Sequence, residues 1–243
     1  MNINVHHSPT SGLSNPARDR ALRIIAATGL IVGPASLIVT TVIQWAIQPS
    51  DPAATIVQVA AQNPAAWLTV SLLAVIGPLV WVAGLPAVAA LARERGWLLT
   101  LIGGYLTGIG LIAAVGHLAV FFGLVDALAT SGVGADAVRM VSGAGDADPV
   151  ANLLLFVFLG AFSVGVIVLT VGLRRAGVVA VWVPVAAIIM SVANFAGGLP
   201  AGIVQLLALL VTFVPIILVV LRPKRQEAQG VRSVPARRES PAI

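Results

Sequence analysis

Apolar residues in this chain gather into six long runs, at residues 24–47, 67–91, 97–125, 150–173, 178–196 and 201–221, parted by polar connectors. A helix needs about 20 apolar residues to cross the hydrocarbon core of a bilayer, so each run predicts one crossing. The fold class that follows is all-α: a polytopic membrane helix bundle of six transmembrane helices over residues 21–221. The tails at 1–20 and 222–243 contain no apolar run, which predicts disorder at both ends.

Cap and turn residues place the shorter elements. Asp51-Pro52 reads as an N-cap followed by proline at the first helical position, and Asn63-Pro64 as a stop. Between them Ile56, Val59 and Ala60 recur at helical spacing, which predicts a short amphipathic helix on the outer surface. Asp148-Pro149 repeats the cap signal at the head of the fourth run. The connector before it is rich in Asp and Gly, with one or two helical turns predicted over Ala135 to Val141. Pro78 and Pro86 fall inside the second run and predict kinks rather than breaks.

Charge then orients the bundle. Of 14 Lys and Arg residues, all but Arg139 lie in the N-terminal tail, the second or fourth connector, or the C-terminal tail. Six crossings put those segments on one face, and the bias of Lys and Arg towards the cytoplasm makes both termini cytoplasmic. Composition supports the membrane reading: 58% of residues are hydrophobic and 9% charged, against about 25% charged in soluble domains. The net charge of +5 is spread over juxtamembrane sites. It therefore points to topogenesis and to anionic lipid at the basic tails, not to nucleic acid. Absence of cysteine excludes disulfides, thiolate metal sites and cysteine nucleophiles. Arginine far outnumbers lysine in an Ala-, Val- and Gly-rich chain, which reads as the codon bias of a high-GC bacterium and places the protein in a bacterial inner membrane.

Three features together resemble uncharacterised six-span integral membrane protein families of high-GC bacteria. They are the long first outer connector with its short helix, the Leu91-Ala92-Arg93-Glu94-Arg95-Gly96 turn into a glycine-rich third span, and the Arg174-Arg175 turn before a tryptophan-containing fifth span. The resemblance implies a membrane bundle with no assigned activity and brings no functional residues with it.

Candidate chemistry lies where polar residues enter the spans, since such groups face the bundle interior. Gly103, Thr107, Gly110, Ala114, His117 and Phe121 follow steps of three and four and share one face of the third span. Small residues allow close helix approach, so Gly103, Gly104, Gly108 and Gly110 are the predicted packing positions. The predicted intramembrane polar site is His117 with Ser191 and Asn194, which share a stripe of the fifth span, and Gln205 on a stripe of the sixth. His117 reads either as a protonatable site or as an imidazole that holds helices together. The second is favoured because no carboxylate shares its depth, and glutamine in its place is expected to preserve folding. The outer Asp126, Asp136, Asp146 and Asp148 read as a solvated loop.

Enzyme readings fail on inventory. There is no H-E-x-x-H arrangement, a bis-His haem lacks its second intramembrane histidine, and Ser163 lacks the glycine-flanked setting of an intramembrane serine nucleophile. The expectation is a non-enzyme without metal or cofactor, a structural, sensory or partner-binding bundle. Its partners would be the lipid bilayer and a membrane protein or a second copy. The alternative is a small transporter or pore for a neutral or apolar solute. Gly84-Leu85-Pro86-Ala87 recurs as Gly198-Leu199-Pro200-Ala201, the kind of echo an inverted repeat would leave.

Overall fold

The computed structural model describes residues 16–48, 55–92 and 94–222, which are 87% helical and contain no strand. Among them nine helices follow one another: α1 (Pro16–Ala46), α2 (Ile56–Gln62), α3 (Pro64–Val82), α4 (Leu85–Ala89), α5 (Trp97–Ser131), α6 (Ala135–Asp146), α7 (Pro149–Arg175), α8 (Trp182–Ala196) and α9 (Gly198–Leu221). Five stretches are long and apolar enough to cross a membrane: α1, α3 with α4, α5, α7 and α9. The most apolar part of each is only 33–41% buried within the protein. Most of the apolar surface therefore faces outward, which is tolerable where the surroundings are hydrocarbon and costly in water.

The expected fifth span is shorter than its apolar run. α8 has 15 residues, a rise of about 22 Å at 1.5 Å per residue, below the roughly 30 Å of a hydrocarbon core. Its run begins at Val178, but the helix of α7 ends at Arg175 and Gly177 turns the chain with φ +73°. Non-helical backbone then continues to Val181 before α8 begins.

Local chemistry explains the remaining boundaries. Thr55 caps α2 through a capping box: its hydroxyl accepts from the Gln58 backbone N–H at 3.3 Å, and the Gln58 side-chain Oε1 accepts from the Thr55 backbone N–H at 2.7 Å. Asp51-Pro52, the expected start, lies outside the described residues. Asn63 closes α2 and Pro64 opens α3, where its missing N–H loses nothing. Asp148 accepts from the Ala151 amide at 2.7 Å at the head of α7. α6 runs 12 residues, longer than the one or two turns expected. Pro78 sits inside an unbroken α3, and the second span breaks instead at Ala83–Gly84. Pro86 then falls in the first turn of α4, where proline is tolerated. The echoed Gly-Leu-Pro-Ala segments both lie at helix starts, of α4 and of α9.

The long helices form a ring in which each packs on its neighbour in the chain: α1 on α3, α3 on α5, α5 on α7, α7 on α8, α8 on α9, and α9 back on α1. Trp81 fills the middle. It is wholly buried, with its ring 4.7 Å from that of Phe213 and 5.7 Å from that of Phe162, both edge-on. Leu30, Leu111, Val166, Leu169 and Ile216 complete this core. A second cluster caps the far end, where Val57 of α2, Trp67 of α3, Phe122 of α5 and Val138 of α6 meet.

Two of the helix pairs are brought close by glycine. Between α5 and α7, a Cβ at Gly103 would overlap the Leu169 backbone nitrogen, one at Gly110 the Phe162 nitrogen, and one at Gly165 the Thr107 nitrogen. Between α1 and α3–α4, a Cβ at Gly29 would lie 2.6 Å from the Val80 carbonyl oxygen, and one at Gly84 would lie 2.7 Å from Leu30 Cγ. Backbone thus approaches backbone with no side chain between, which maximises van der Waals contact.

Candidate functional site

Charge separates the two ends of the bundle. Arg20 lies beside Val220 and Leu221, and Gly96 packs against Gly172 and Arg175, so the start of α1, the turn before α5, and the ends of α7 and α9 share one end. Exposed Arg20, Arg95, Arg174, Arg175 and Arg222 stand there. Asp126, Asp136 and Asp148 stand at the other end, where Asp136 pairs with Arg139 one turn along exposed α6. Among the described residues Arg139 is the arginine that stands away from the basic end, where it has a partner in Asp136, and such a surface contact contributes well under about 1 kcal/mol.

The four predicted polar residues do not converge. His117 of α5 is half-buried, and its Nδ1 lies 3.1 Å from the Ala151 carbonyl oxygen in the first turn of α7. A protonated Nδ1 therefore donates across the α5–α7 interface. The ring also lies nearly parallel to Phe121, with centroids 6.4 Å apart. Asn194 and Gln205 face each other across the α8–α9 hairpin, where the Gln205 amide donates to Asn194 Oδ1 at 2.8 Å. Gly197 and Gly198 make that meeting possible: φ values of +65° and +78° reverse the chain in a conformation that side chains disfavour. Buried Ser191 donates to the Ala187 carbonyl of its own helix at 2.8 Å and has the Ser163 carbonyl of α7 at 3.5 Å. One hydroxyl proton cannot serve both, and the shorter contact is the stronger.

The four packing glycines divide into two pairs. Gly103 and Gly110 are in backbone contact with α7, as described above. Gly104 and Gly108 are also buried, but a Cβ there would find only Leu169 Cδ1 at 3.9 Å and Leu85 Cδ1 at 3.5 Å, ordinary contact distances. The α7 partners Gly165 and Gly172 and the Gly29–Gly33 pair of α1 were not singled out from sequence, although Gly29-x-x-x-Gly33 is the recognised spacing for close helix approach.

Several buried polar atoms have no hydrogen-bond partner among the described residues: Thr40 Oγ1, Trp67 Nε1, Trp81 Nε1, Ser163 Oγ and Thr212 Oγ1. Trp81, Ser163 and Thr212 belong to α3, α7 and α9, and Trp81 touches the aromatic neighbours of the other two, Phe162 and Phe213. No group of three or more His, Cys, Asp or Glu side chains among the described residues has the geometry to hold a metal ion.

Among the described residues, apolar grooves run along the outside of the bundle, three of them well formed. One of about 430 Å³ lies between α4 and α5 beside Tyr105, one of about 570 Å³ between the basic ends of α1 and α9, and one of about 280 Å³ further along the α1–α9 seam. None of the three is lined by His117, Ser191, Asn194 or Gln205. No protein-family model, curated protein or solved structure matches this chain.

Proposed function

We propose that the chain is a multi-pass protein of a bacterial inner membrane, crossing six times with both termini cytoplasmic. We further propose that it works as a non-catalytic structural or partner-binding bundle. The crossing added to the five long stretches is the fifth in chain order, α8 together with the non-helical residues before it. Val179, Val183 and Met190 share the core cluster with Leu209, Ile216 and Val220 of α9, so the segment before α8 and α8 itself pack into the same core as that spanning helix. The turn at residues 176–181 adds to the rise of the short helix, and its Val179 is buried in the same core. The clustered arginines then mark the cytoplasmic end.

The observation that carries the non-catalytic reading is how the interior is used. Trp81, Phe162 and Phe213 occupy its centre, His117 bonds to α7, and Asn194 bonds to Gln205. Residues that would serve a substrate are engaged in holding helices. Swelling of proteoliposomes in a neutral solute such as glycerol tests this: permeability should equal that of protein-free vesicles. Protein-dependent flux that falls on Ser163→Ala or Thr212→Val would replace this reading with the transporter.

The transport reading has one observation of its own. Trp81 Nε1, Ser163 Oγ and Thr212 Oγ1 are buried without protein partners, and unpaired buried polar groups are costly unless something satisfies them. A neutral solute with hydroxyl groups has the chemistry to do so.

A further inference from the structure

Of the three grooves described above, that between the basic ends of α1 and α9 has a chemically two-ended lining. Arg20 stands at its mouth, Thr28 lies part-way along, and Ile24, Ala27, Ile31 and Val220 form an apolar floor. The groove between α4 and α5, by contrast, has no charged residue in its lining. From Arg20 to Ile31 the helix rises about 16 Å, which matches one leaflet, about half of a roughly 30 Å hydrocarbon core. Ile31 also lines the next hollow along the same seam, so the floor continues apolar beyond that depth. In sequence, Arg18 and Arg23 flank Arg20, with Asp19 between Arg18 and Arg20, and exposed Arg222 follows Leu221 at the end of α9.

We propose that this groove binds one anionic phospholipid, its phosphate at Arg20 and an acyl chain along Ile24, Ala27, Ile31 and Val220. Basic pockets between transmembrane helices recognise lipid phosphates in this way. The charge fixes the headgroup class and the length fixes the occupant as a lipid of the leaflet on the basic side. The inference rests on the membrane-spanning reading above and on nothing about transport.

Native mass spectrometry of the full-length protein, released from detergent and titrated with phosphatidylglycerol or phosphatidylcholine of identical chains, tests it. Wild type should retain phosphatidylglycerol about fivefold over phosphatidylcholine, the preference one basic contact near an anionic headgroup supplies. Arg20→Gln should bring that ratio near one, and Arg95→Gln, at the same end but outside the groove, should leave it unchanged. Thr28→Phe, which fills the floor from an exposed position, should lower retention of both lipids and stands as the test if Arg20→Gln does not fold. Equal retention by wild type, an equal fall in Arg20→Gln and Arg95→Gln, or no effect of Thr28→Phe would each overturn the proposal. So would a two-chain mass that Thr28→Phe dissociates, which would make the seam a contact between copies. Alkaline carbonate extraction separates the two levels: a protein that stays in the membrane but shows no preference loses only this inference, and one that is extracted loses the membrane reading as well.

Discussion

Glycine 103 and glycine 104 are adjacent in sequence and both buried, yet a methyl group added to each should act in opposite directions. Gly103→Ala drives its Cβ into the Leu169 backbone, as Gly165→Ala does against Thr107, and both should lower the melting temperature in detergent. Gly104→Ala and Gly108→Ala meet only side-chain tips at contact distance. They should be neutral or stabilising by up to about 0.5–1 kcal/mol, because alanine has the better helix propensity. Four equal melting shifts would show that α7 is not where these distances place it. Spacing in the sequence was enough to find the glycine face of α5. It did not separate its two edges, because the distinction is made by Gly165 and Leu169 on another helix. His117 repeats the lesson. Its place on the glycine face of α5 is readable from spacing, but which ring nitrogen works is decided by the Ala151 carbonyl. Since Nδ1 makes the bond, asparagine, whose amide nitrogen sits at that position, should keep it, and the shape-match is poorer for the glutamine expected from sequence. His117→Leu should cost about 1 kcal/mol and His117→Asn little in thermal melts, and the reverse order would exclude this bond.

Helix pairs are held by contacts that differ in kind, so they should fail differently. In the α8–α9 hairpin, Gln205→Leu alone leaves Asn194 Oδ1 without its donor, whereas Asn194→Leu with Gln205→Leu removes both polar groups together. The double variant should therefore be more stable than the two single losses add up to, with a coupling of about 0.6–1.7 kcal/mol. Additive losses would mean that the pair is not bonded in the membrane. In the α5–α7 pair, Gly110→Leu should lower thermal stability more than Leu111→Ala, because it must separate two backbones while the other only empties a wholly buried site. Most helices were legible because long apolar runs end at capping residues such as Asp148 and Asn63. The shortness of α8 was not, since Val178 to Val181 are as apolar as any helix and hydropathy does not register the turn at Gly177. The break at Ala83–Gly84 was displaced from Pro86 by one turn for a related reason: proline opens the new helix rather than ending the old one.

Topology is the property of the whole molecule that a single extra or missing crossing reverses. Reporter fusions after Leu91, Arg175 and Arg222 should read cytoplasmic, and fusions at Gly143 and Gly197 external. If α8 fails to cross, Gly197 reads cytoplasmic and Arg222 external, while Leu91, Arg175 and Gly143 stay as they were. The two outcomes thus isolate the one helix whose length falls short. The all-helical, apolar character and the charge asymmetry of the described residues followed from hydropathy and arginine placement, since both act along the chain. The closed ring and the Trp81 plug depend on which helix faces which, information that periodicity within one helix does not contain.

The backbone contact between α5 and α7 also fixes an order of opening. Side-chain layers loosen by one rotamer at a time, whereas a seam made of main chain has no such intermediate and parts only as a unit. In hydrogen–deuterium exchange the amides around Gly103, Thr107, Gly110 and Gly165 should therefore exchange last. Pulled by either end, the protein should give up α1 or α9 first and keep this central pair as its final folded remnant.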